Sequence, residues 1–418
     1  MLKNYIKIAF RNLIKRKLYT FINVMGLAVG MACCLLIFFW VQDELSYDRF
    51  NSKIDRLYRV RVDISLNGVD QQEAASPAPA AETLKNDFPE VEQVTRMSTA
   101  GSHFISYREN SFKAEHMAYA DSTLFEVFTI PLLKGNPKTA LTQPNSIIID
   151  ETTAKKIFGK ENPLGKTLTL DKQQAHKVTG VFKNLPQNSH FHYSAFFSMA
   201  TIKDYVEEQD WGTHEFYTYV VLKENASTAA LEAKFPNMVG KYIGPLINDH
   251  LGITMDEFEK KGNGFRYYLQ PVKDIHLHSK LIDEHEANGS ITYVYIFSAM
   301  AFIILLIACI NYMNLATARS AERAKEVGIR KSAGAFRSQL LVQFLSESFI
   351  LSLLSFLLAI GLVEISLPAF NHLASKSITS NYLNNPHLLI TIPGIILMVG
   401  IISGAYPAFF LSASDPAK

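Results

Sequence analysis

Charge is scarce in this chain. Asp, Glu, Lys and Arg make up only 19% of its 418 residues, while 48% are hydrophobic and the mean hydropathy is slightly positive. Soluble domains carry about 25% charge, so the deficit implies membrane segments joined to a soluble part. The formal net charge of +2 excludes a polyelectrolyte and leaves no case for nucleic-acid binding. Cysteine is nearly absent. Cys33, Cys34 and Cys309 all lie inside apolar runs, which excludes a disulfide-stapled soluble domain and makes them small buried apolar residues. The stretch "GMAC" ending at Cys33 has Gly three positions earlier and an apolar run continuing beyond it, so it is not read as a lipidation signal.

Catalytic motifs are missing as well. There is no G-x-S-x-G, no HExxH, and no Cys near a His outside the apolar runs, so nothing builds a nucleophile and its base. "FGKENPLGKT" (158–167) comes near a phosphate-binding loop. Five residues rather than four separate Gly159 from Gly165, Pro163 removes a backbone donor, and a strand follows where that loop needs a helix. Gly165 is read as a turn residue, and no catalytic residue, cofactor or metal is expected.

What the chain does have is long apolar runs, at about 21–42, 291–315, 340–366 and 388–411. Each exceeds the roughly 20 helical residues that span a bilayer core. Residues 1–20 carry Lys3, Lys7, Arg11, Lys15, Arg16 and Lys17 with no acid, and 316–339 carry Arg319, Arg323, Lys325, Arg330, Lys331 and Arg337. These basic flanks place both termini and the 316–339 segment in the cytoplasm. Residues 43–289, with 27 Lys and Arg against 34 Asp and Glu, then lie outside with the short link 367–387. Leu2, Tyr5, Ile6, Ala9, Phe10, Leu13 and Ile14 form a helical stripe, so 1–20 reads as an amphipathic elbow helix in the inner interface.

Inside the spans, Gly26 with Gly30 and Gly400 with Gly404 repeat the spacing that lets helices approach closely. Glu347 lies within the third span as a candidate intramembrane polar site. The blander reading is a carboxylate that snorkels to the inner interface or pairs with a cation of 316–339.

The outer head reads as two β-α-β units. "RLYRVRVDI" (56–64) and "VEQVTRM" (91–97) are strands around a helix capped by Ser76, opened by Pro77 and Pro79 and ended by Pro89. "EFYTYVVL" (215–222) and "FRYYLQPV" (265–272) are strands around a helix at 227–243, broken near Pro236. Two such units make a split ferredoxin-like layer. Residues 98–214 between them, with "NSIIIDETTAKKIFGK", "KTLTL" and "HKVTGVF", form an inserted β-rich subdomain. His190 with His192, and His276 with His278, are placed in pairs on strand faces and read as polar strand edges, since a tetrahedral metal site wants four convergent ligands. The fold class is an α+β membrane protein: four transmembrane helices and a large extracytoplasmic α+β head.

"NVMGLAVGMACCLLIFFWVQDELSYDRF" followed by "LYRV", then "NLATARSAERAKEVGIRKSAGA", and finally "GAYPAFFLSA" together resemble FtsX-like, MacB-type ABC transporter permeases, nearest to those of the Bacteroidota. "EVGIRKSAGA" (326–335) is the most specific of these motifs. The resemblance implies a mechanotransmitter: a cytoplasmic ATPase dimer binds the ATP and drives the permease helices and outer domain. It implies a porter at about 43–97 and 215–289, and an FtsX-like permease domain at 291–418. By position, the coupling segment 316–339 docks the ATPase through Arg319, Glu322, Arg323, Glu326, Gly328, Arg330, Lys331 and Gly334. The Glu326–Arg330 pair, spaced i, i+4 with the acid first, supports a helix there.

The implied activity is efflux of an antimicrobial, peptide or lipoprotein cargo with a periplasmic adaptor and outer-membrane channel, at the bacterial inner membrane. The second reading is a non-transporting mechanotransmitter that activates a partner such as a cell-wall hydrolase. Such members carry outer domains smaller than residues 43–289. Relatives often hold two copies of this unit. One copy leaves the first and fourth spans little covered, so a second permease unit is expected, as a homodimer or as a second repeat of a longer chain.

Overall fold

The computed structural model describes residues 17–318, Val327, Ile329, Ser332, 336–380 and 386–413. Arg319, Glu322, Arg323, Glu326, Gly328, Arg330, Lys331 and Gly334 lie outside the described residues, as do residues 1–16 of the elbow helix. The chain divides into two compact units: residues up to Asp43 with those from Ile291 onward, and Glu44–Ser290.

Helix α1 (Lys17–Leu45) leads into the Glu44–Ser290 unit, hereafter the head. The head carries β1 (Leu57–Leu66), β2 (Val69–Glu73), β3 (Ser76–Pro77), α2 (Pro79–Asp87), β4 (Val91–Tyr107) and β5 (Asn110–Ala120). It continues with β6 (Leu132–Gly135), β7 (Ser146–Asp150), α3 (Glu151–Phe158), β8 (Thr167–Leu170), β9 (Gln174–Phe182) and β10 (Ala195–Ser198). It closes with β11 (His214–Leu222), α4 (Thr228–Glu232), α5 (Phe235–Leu251), β12 (Gly264–Pro271) and α6 (Ile275–His278). The main sheet path is β12-β1-β11-β4-β5-β10-β7-β9-β6. Its first four strands are antiparallel, with Tyr58 opposite Val220, Val62 opposite Tyr267 and Tyr219 opposite Thr95.

The alternation in β1 explains its two faces. Val60, Val62 and Ile64 face a core shared with Leu84 of α2 and Phe235, Met238 and Val239 of α5. Each such side chain fully buried contributes about 1.5–3 kcal/mol. Leu57 and Arg59 alternate with them, and Leu57 joins a second core containing Tyr219 and Phe128. A third core packs Ile147, Ile149, Ile157, Phe158 and Phe197 around β7, α3 and β10. Asp150 caps α3 by accepting from Thr153 N at 2.6 Å.

Several local expectations change. Ala78, not Ser76, occupies the N-cap of α2, and Ser76 instead donates to Phe216 O (3.0 Å) from the short strand β3. Strand β4 runs unbroken through residue 98, because its outer half pairs with β5 in a long hairpin. The helix expected at 227–243 is two helices, and Pro236 sits at the start of the second, where its missing donor is harmless. His190 and His192 lie on a coil, while His276 and His278 lie on α6; none is on a strand. Gly165 lies in a turn before β8, its N–H donating to Val178 O at 2.8 Å.

The membrane unit is completed by α7 (Ile291–Thr317), α8 (Arg337–Ala374) and α9 (Pro386–Ala413). Among the described residues, α1, α7 and α8 are long and apolar enough to cross a membrane. In α9 the corresponding apolar stretch is Thr391–Ala405. Helix α8 continues to Ala374, so the first part of the expected 367–387 link is helical. Asn371 then ties the chain back, donating to Ile378 O at 2.8 Å and accepting from Ile378 N at 3.1 Å. The four helices share one apolar core, including Leu27, Met31 and Leu35 with Leu305, Leu351, Val363 and Val399. The first span is better covered than the sequence reading put it. Helix α1 is 39% buried along its apolar window, the same as α8, whereas α7 is only 22% buried.

Candidate functional site: the root of the head and the helix contacts

The chain enters the head at residues 44–51 and leaves it at 275–290, and both segments are fixed by polar bonds. His276 Nε2 and Glu44 Oε2 are 2.8 Å apart, and the Tyr47 ring stacks on the His276 imidazole with centroids 3.3 Å apart. Asn188 Nδ2 donates to Ser46 O at 3.1 Å, and Asp48 N donates to Asn188 O at 2.7 Å. Asn51 Oδ1 accepts from Thr129 N at 3.0 Å. On the exit side, Ile282 N donates to Gln72 O (2.7 Å) and Ala74 N donates to Ile282 O (3.0 Å). Entry and exit are thus tied to each other and to the sheet.

Beneath them lies Arg59, which is fully buried. Its two terminal nitrogens donate to Glu284, at 2.5 Å and 2.8 Å, and Nη2 also donates to Gln270 Oε1 at 2.7 Å. Burial alone would raise the Glu284 carboxyl, but the Arg59 bonds outweigh it and hold the group below its ordinary range. A bidentate pair of this kind fixes geometry as well as charge.

A second polar series runs alongside. Asp48 Oδ1 is 2.8 Å from His190 Nδ1, and His190 Nε2 is 2.8 Å from Tyr219 Oη. Tyr219 Oη is 2.9 Å from His285 Nε2, and His285 Nδ1 is 2.6 Å from Tyr193 Oη. Burial pushes the Tyr219 and Tyr193 phenols well up, so both stay protonated. His285 is packed against Tyr217 with centroids 3.6 Å apart. Burial among these rings, then the nearby His190 and Arg59, hold its imidazole well below the usual range, hence neutral.

A pH dependence follows for His285. The unfolded chain binds a proton there below about pH 6.5 and the folded head does not, so stability is present above that pH and lost as pH falls. Relative to His285→Gln, the wild-type head should lose up to about 1.4 kcal/mol per pH unit below pH 6.5. Urea unfolding at several pH values in a Trp40→Phe background, followed by fluorescence of the head's Trp211, measures this; parallel profiles for the two proteins would refute it.

In the membrane unit, the glycines sit at helix contacts. A Cβ on Gly30 would lie 2.7 Å from Ala308 Cβ of α7, and one on Gly404 would lie 2.7 Å from Ser348 Cβ of α8. Their partners have more room: a Cβ on Gly26 would be 3.6 Å from Asn311 Nδ2, and one on Gly400 would be 3.4 Å from Phe349. Glu347 is buried among the described helices. It belongs to a buried polar series on α8 with Gln343, Ser348, Ser352 and Ser355, and Ser348 Oγ is 3.0 Å from Tyr312 Oη.

Sequence reasoning singled out neither Arg59, Tyr219 and His285 nor the serines of α8. The available signal was "DEHE" at 283–286, a dense polar cluster just before an apolar run.

The MacB-like periplasmic core domain family matches residues 20–238, and the FtsX-like permease C-terminal family matches 298–416. The chain belongs to the FtsX-like, MacB-type ABC transporter permeases. Its relatives include the ABC transporter permease YknZ of Bacillus subtilis, 26% identical over 84% of this chain and 82% of that protein. The macrolide export ATP-binding/permease protein MacB of Neisseria gonorrhoeae is 24% identical over 68% of this chain, which spans 40% of that protein. The periplasmic region of MacB from Actinobacillus actinomycetemcomitans aligns over 53% of this chain and 90% of its own, at 16% identity and a TM-score of 0.34. As a permease of this type the protein is a non-catalytic membrane subunit with a periplasmic or extracellular domain, and its class implies an ATPase partner.

Proposed function

We propose that the chain is the transmembrane mechanotransmission subunit of an ATP-driven exporter. A separate ATPase dimer hydrolyses ATP in the cytoplasm and docks on Arg319, Glu322, Arg323, Glu326, Gly328, Arg330, Lys331 and Gly334. Helix movement passes through residues 44–51 and 275–290 to the head. The observation that carries this reading is the root itself. Glu44–His276 ties the entry segment to the exit segment, and Arg59–Glu284 ties the exit segment to β1, so a displacement of either loads the sheet rather than a slack loop.

In this reading the chain crosses the membrane four times, with both termini and the 316–339 segment inside. The head works as a split ferredoxin-like porter, residues 43–97 and 215–289, with 98–214 inserted. The strand order β12-β1-β11-β4 with α2 and α5 on one face supports that description. Gly30 and Gly404, with Gly26 and Gly400, serve helix packing, and Glu347 is a polar site within the bundle. A second permease unit covers the exposed face of α7. The cargo is an antimicrobial, peptide or lipoprotein, passed to a periplasmic adaptor and outer-membrane channel; the macrolide exporter among the relatives supports export over regulation.

Purification of the tagged full-length chain from native membranes tests the reading. An ATP-binding-cassette ATPase should co-purify in stoichiometric amount and hydrolyse ATP in the complex. Recovery of a cell-wall hydrolase on the head would favour the regulatory reading, and recovery of the permease without any such ATPase would overturn both.

A further inference from the structure

We propose that the root of the head is a proton-binding site: the series Asp48–His190–Tyr219–His285–Tyr193 takes up one proton from the external medium, holds it on His190, and reverses its hydrogen-bond direction. This rests on the geometry of the series and not on the proposed export function.

With His190 neutral, bond accounting fixes the resting arrangement. The Asp48 carboxylate only accepts, so His190 Nδ1–H donates to it at 2.8 Å. His190 Nε2, in the neutral ring, then accepts from the Tyr219 hydroxyl at 2.8 Å. Tyr219 oxygen accepts from His285 Nε2–H at 2.9 Å, and His285 Nδ1 accepts from the Tyr193 hydroxyl at 2.6 Å. Every donor in the series is used once and all point towards Asp48.

A second complete arrangement differs by one proton. The Tyr219 proton passes to His190 Nε2, the His285 Nε2 proton to Tyr219, and the Tyr193 proton to His285 Nδ1. The incoming proton replaces the one Tyr193 gives up, and that hydroxyl turns towards the neighbouring Thr99 side chain. Each transfer follows an existing hydrogen bond, and no bond is left unmade. His285 remains neutral in both arrangements but changes tautomer.

Charge balance supplies the reason for uptake. Asp48 and His190 are both buried, and Asp48 Oδ2 has no hydrogen-bond partner among the described residues. The cation facing the series from β1, Arg59, is already taken by Glu284. From the exit segment the series also faces Asp283 and Glu286, and from β11 it faces Tyr217. His192, on the same coil as His190, is committed to Glu286 at 3.0 Å. A neutral His190 therefore leaves the Asp48 carboxylate as uncompensated buried charge, which is expensive. A proton on His190 neutralises it in place and tightens the hold on the entry turn, since Asp48 N is bonded to Asn188 O. Entry is at the Tyr193 end, beside the exposed Thr99.

The test is histidine-ring NMR of the full-length chain in lipid nanodiscs, with 13C- and 15N-labelled histidine, between about pH 5 and 8. His190→Gln keeps one donor and one acceptor and identifies the His190 signal by its loss. His190 should pass from the Nδ1–H tautomer to imidazolium as pH falls, while His285 switches from the Nε2–H to the Nδ1–H tautomer at the same midpoint without becoming charged. Asp48→Asn, which retains the ring, gives an independent assignment and should abolish both changes. A His190 signal that stays neutral throughout, or a fixed His285 tautomer, would overturn the proposal.

Discussion

Arg59→Met should destabilise the head by about 3–5 kcal/mol, because it leaves the Glu284 carboxylate in a site built around a guanidinium. Arg59 is fully buried and its fork grips Glu284 through both terminal nitrogens, with Gln270 sharing one of them. The loss is therefore an uncompensated charge together with an orphaned amide oxygen. The double variant Arg59→Met/Glu284→Leu removes both charges, and buried pairs replaced by apolar side chains are often neutral. It should recover most of the lost stability. The chain has two tryptophans, Trp40 in α1 and Trp211 in the head. Urea unfolding in a Trp40→Phe background therefore reports on the head alone. A cost below about 1 kcal/mol for Arg59→Met would place the pair among surface-like ion pairs and contradict its role at the root.

Gly30→Leu should break the contact between α1 and α7. The first added carbon would already lie 2.7 Å from Ala308 Cβ, inside any van der Waals contact, and a branched side chain extends the clash along the interface. Membrane helices associate by packing and hydrogen bonds rather than by exclusion of water, so a forced separation has no hydrophobic gain to offset it. Overpacking costs about 1–3 kcal/mol in soluble cores, and a comparable loss is expected here. Gly26→Ala meets Asn311 Nδ2 at an ordinary 3.6 Å and should be tolerated. Gly30→Ala should be impaired alone and restored by Ala308→Gly. Monodisperse yield after heating in detergent measures all four; equal behaviour of Gly30→Leu and Gly26→Ala would refute the packing assignment.

The legible parts of the sequence were those governed by local rules. Apolar length announced the helices, alternation announced β1, and "NSIIIDETTAKKIF" carried the strand β7 and the helix α3. What escaped was set by distant partners. "RVRVD" reads as a strand with one polar face, and nothing local says that Arg59 on that face is sealed by residues 279–286, more than two hundred positions away. The paired histidines invited a strand-face reading, yet their neighbours are fixed by Glu44, Asp48 and Glu286 from other segments. The glycine spacing pointed to close helix approach, but only the facing residues, Ala308 and Ser348, distinguish Gly30 and Gly404 from Gly26 and Gly400. Exposure of α7 depends on which helices surround it, a property its own composition does not contain.

The coupling of a separate ATPase to this permease is tested most directly by charge reversal in the 326–335 stretch. Full-length Arg330→Glu and Lys331→Glu variants, singly and together, should reach the membrane in normal amount, keep the wild-type unfolding profile of the head, and lose co-purification with the ATP-binding-cassette subunit. Retention of a stoichiometric, ATP-hydrolysing complex by the double variant would contradict docking through this segment.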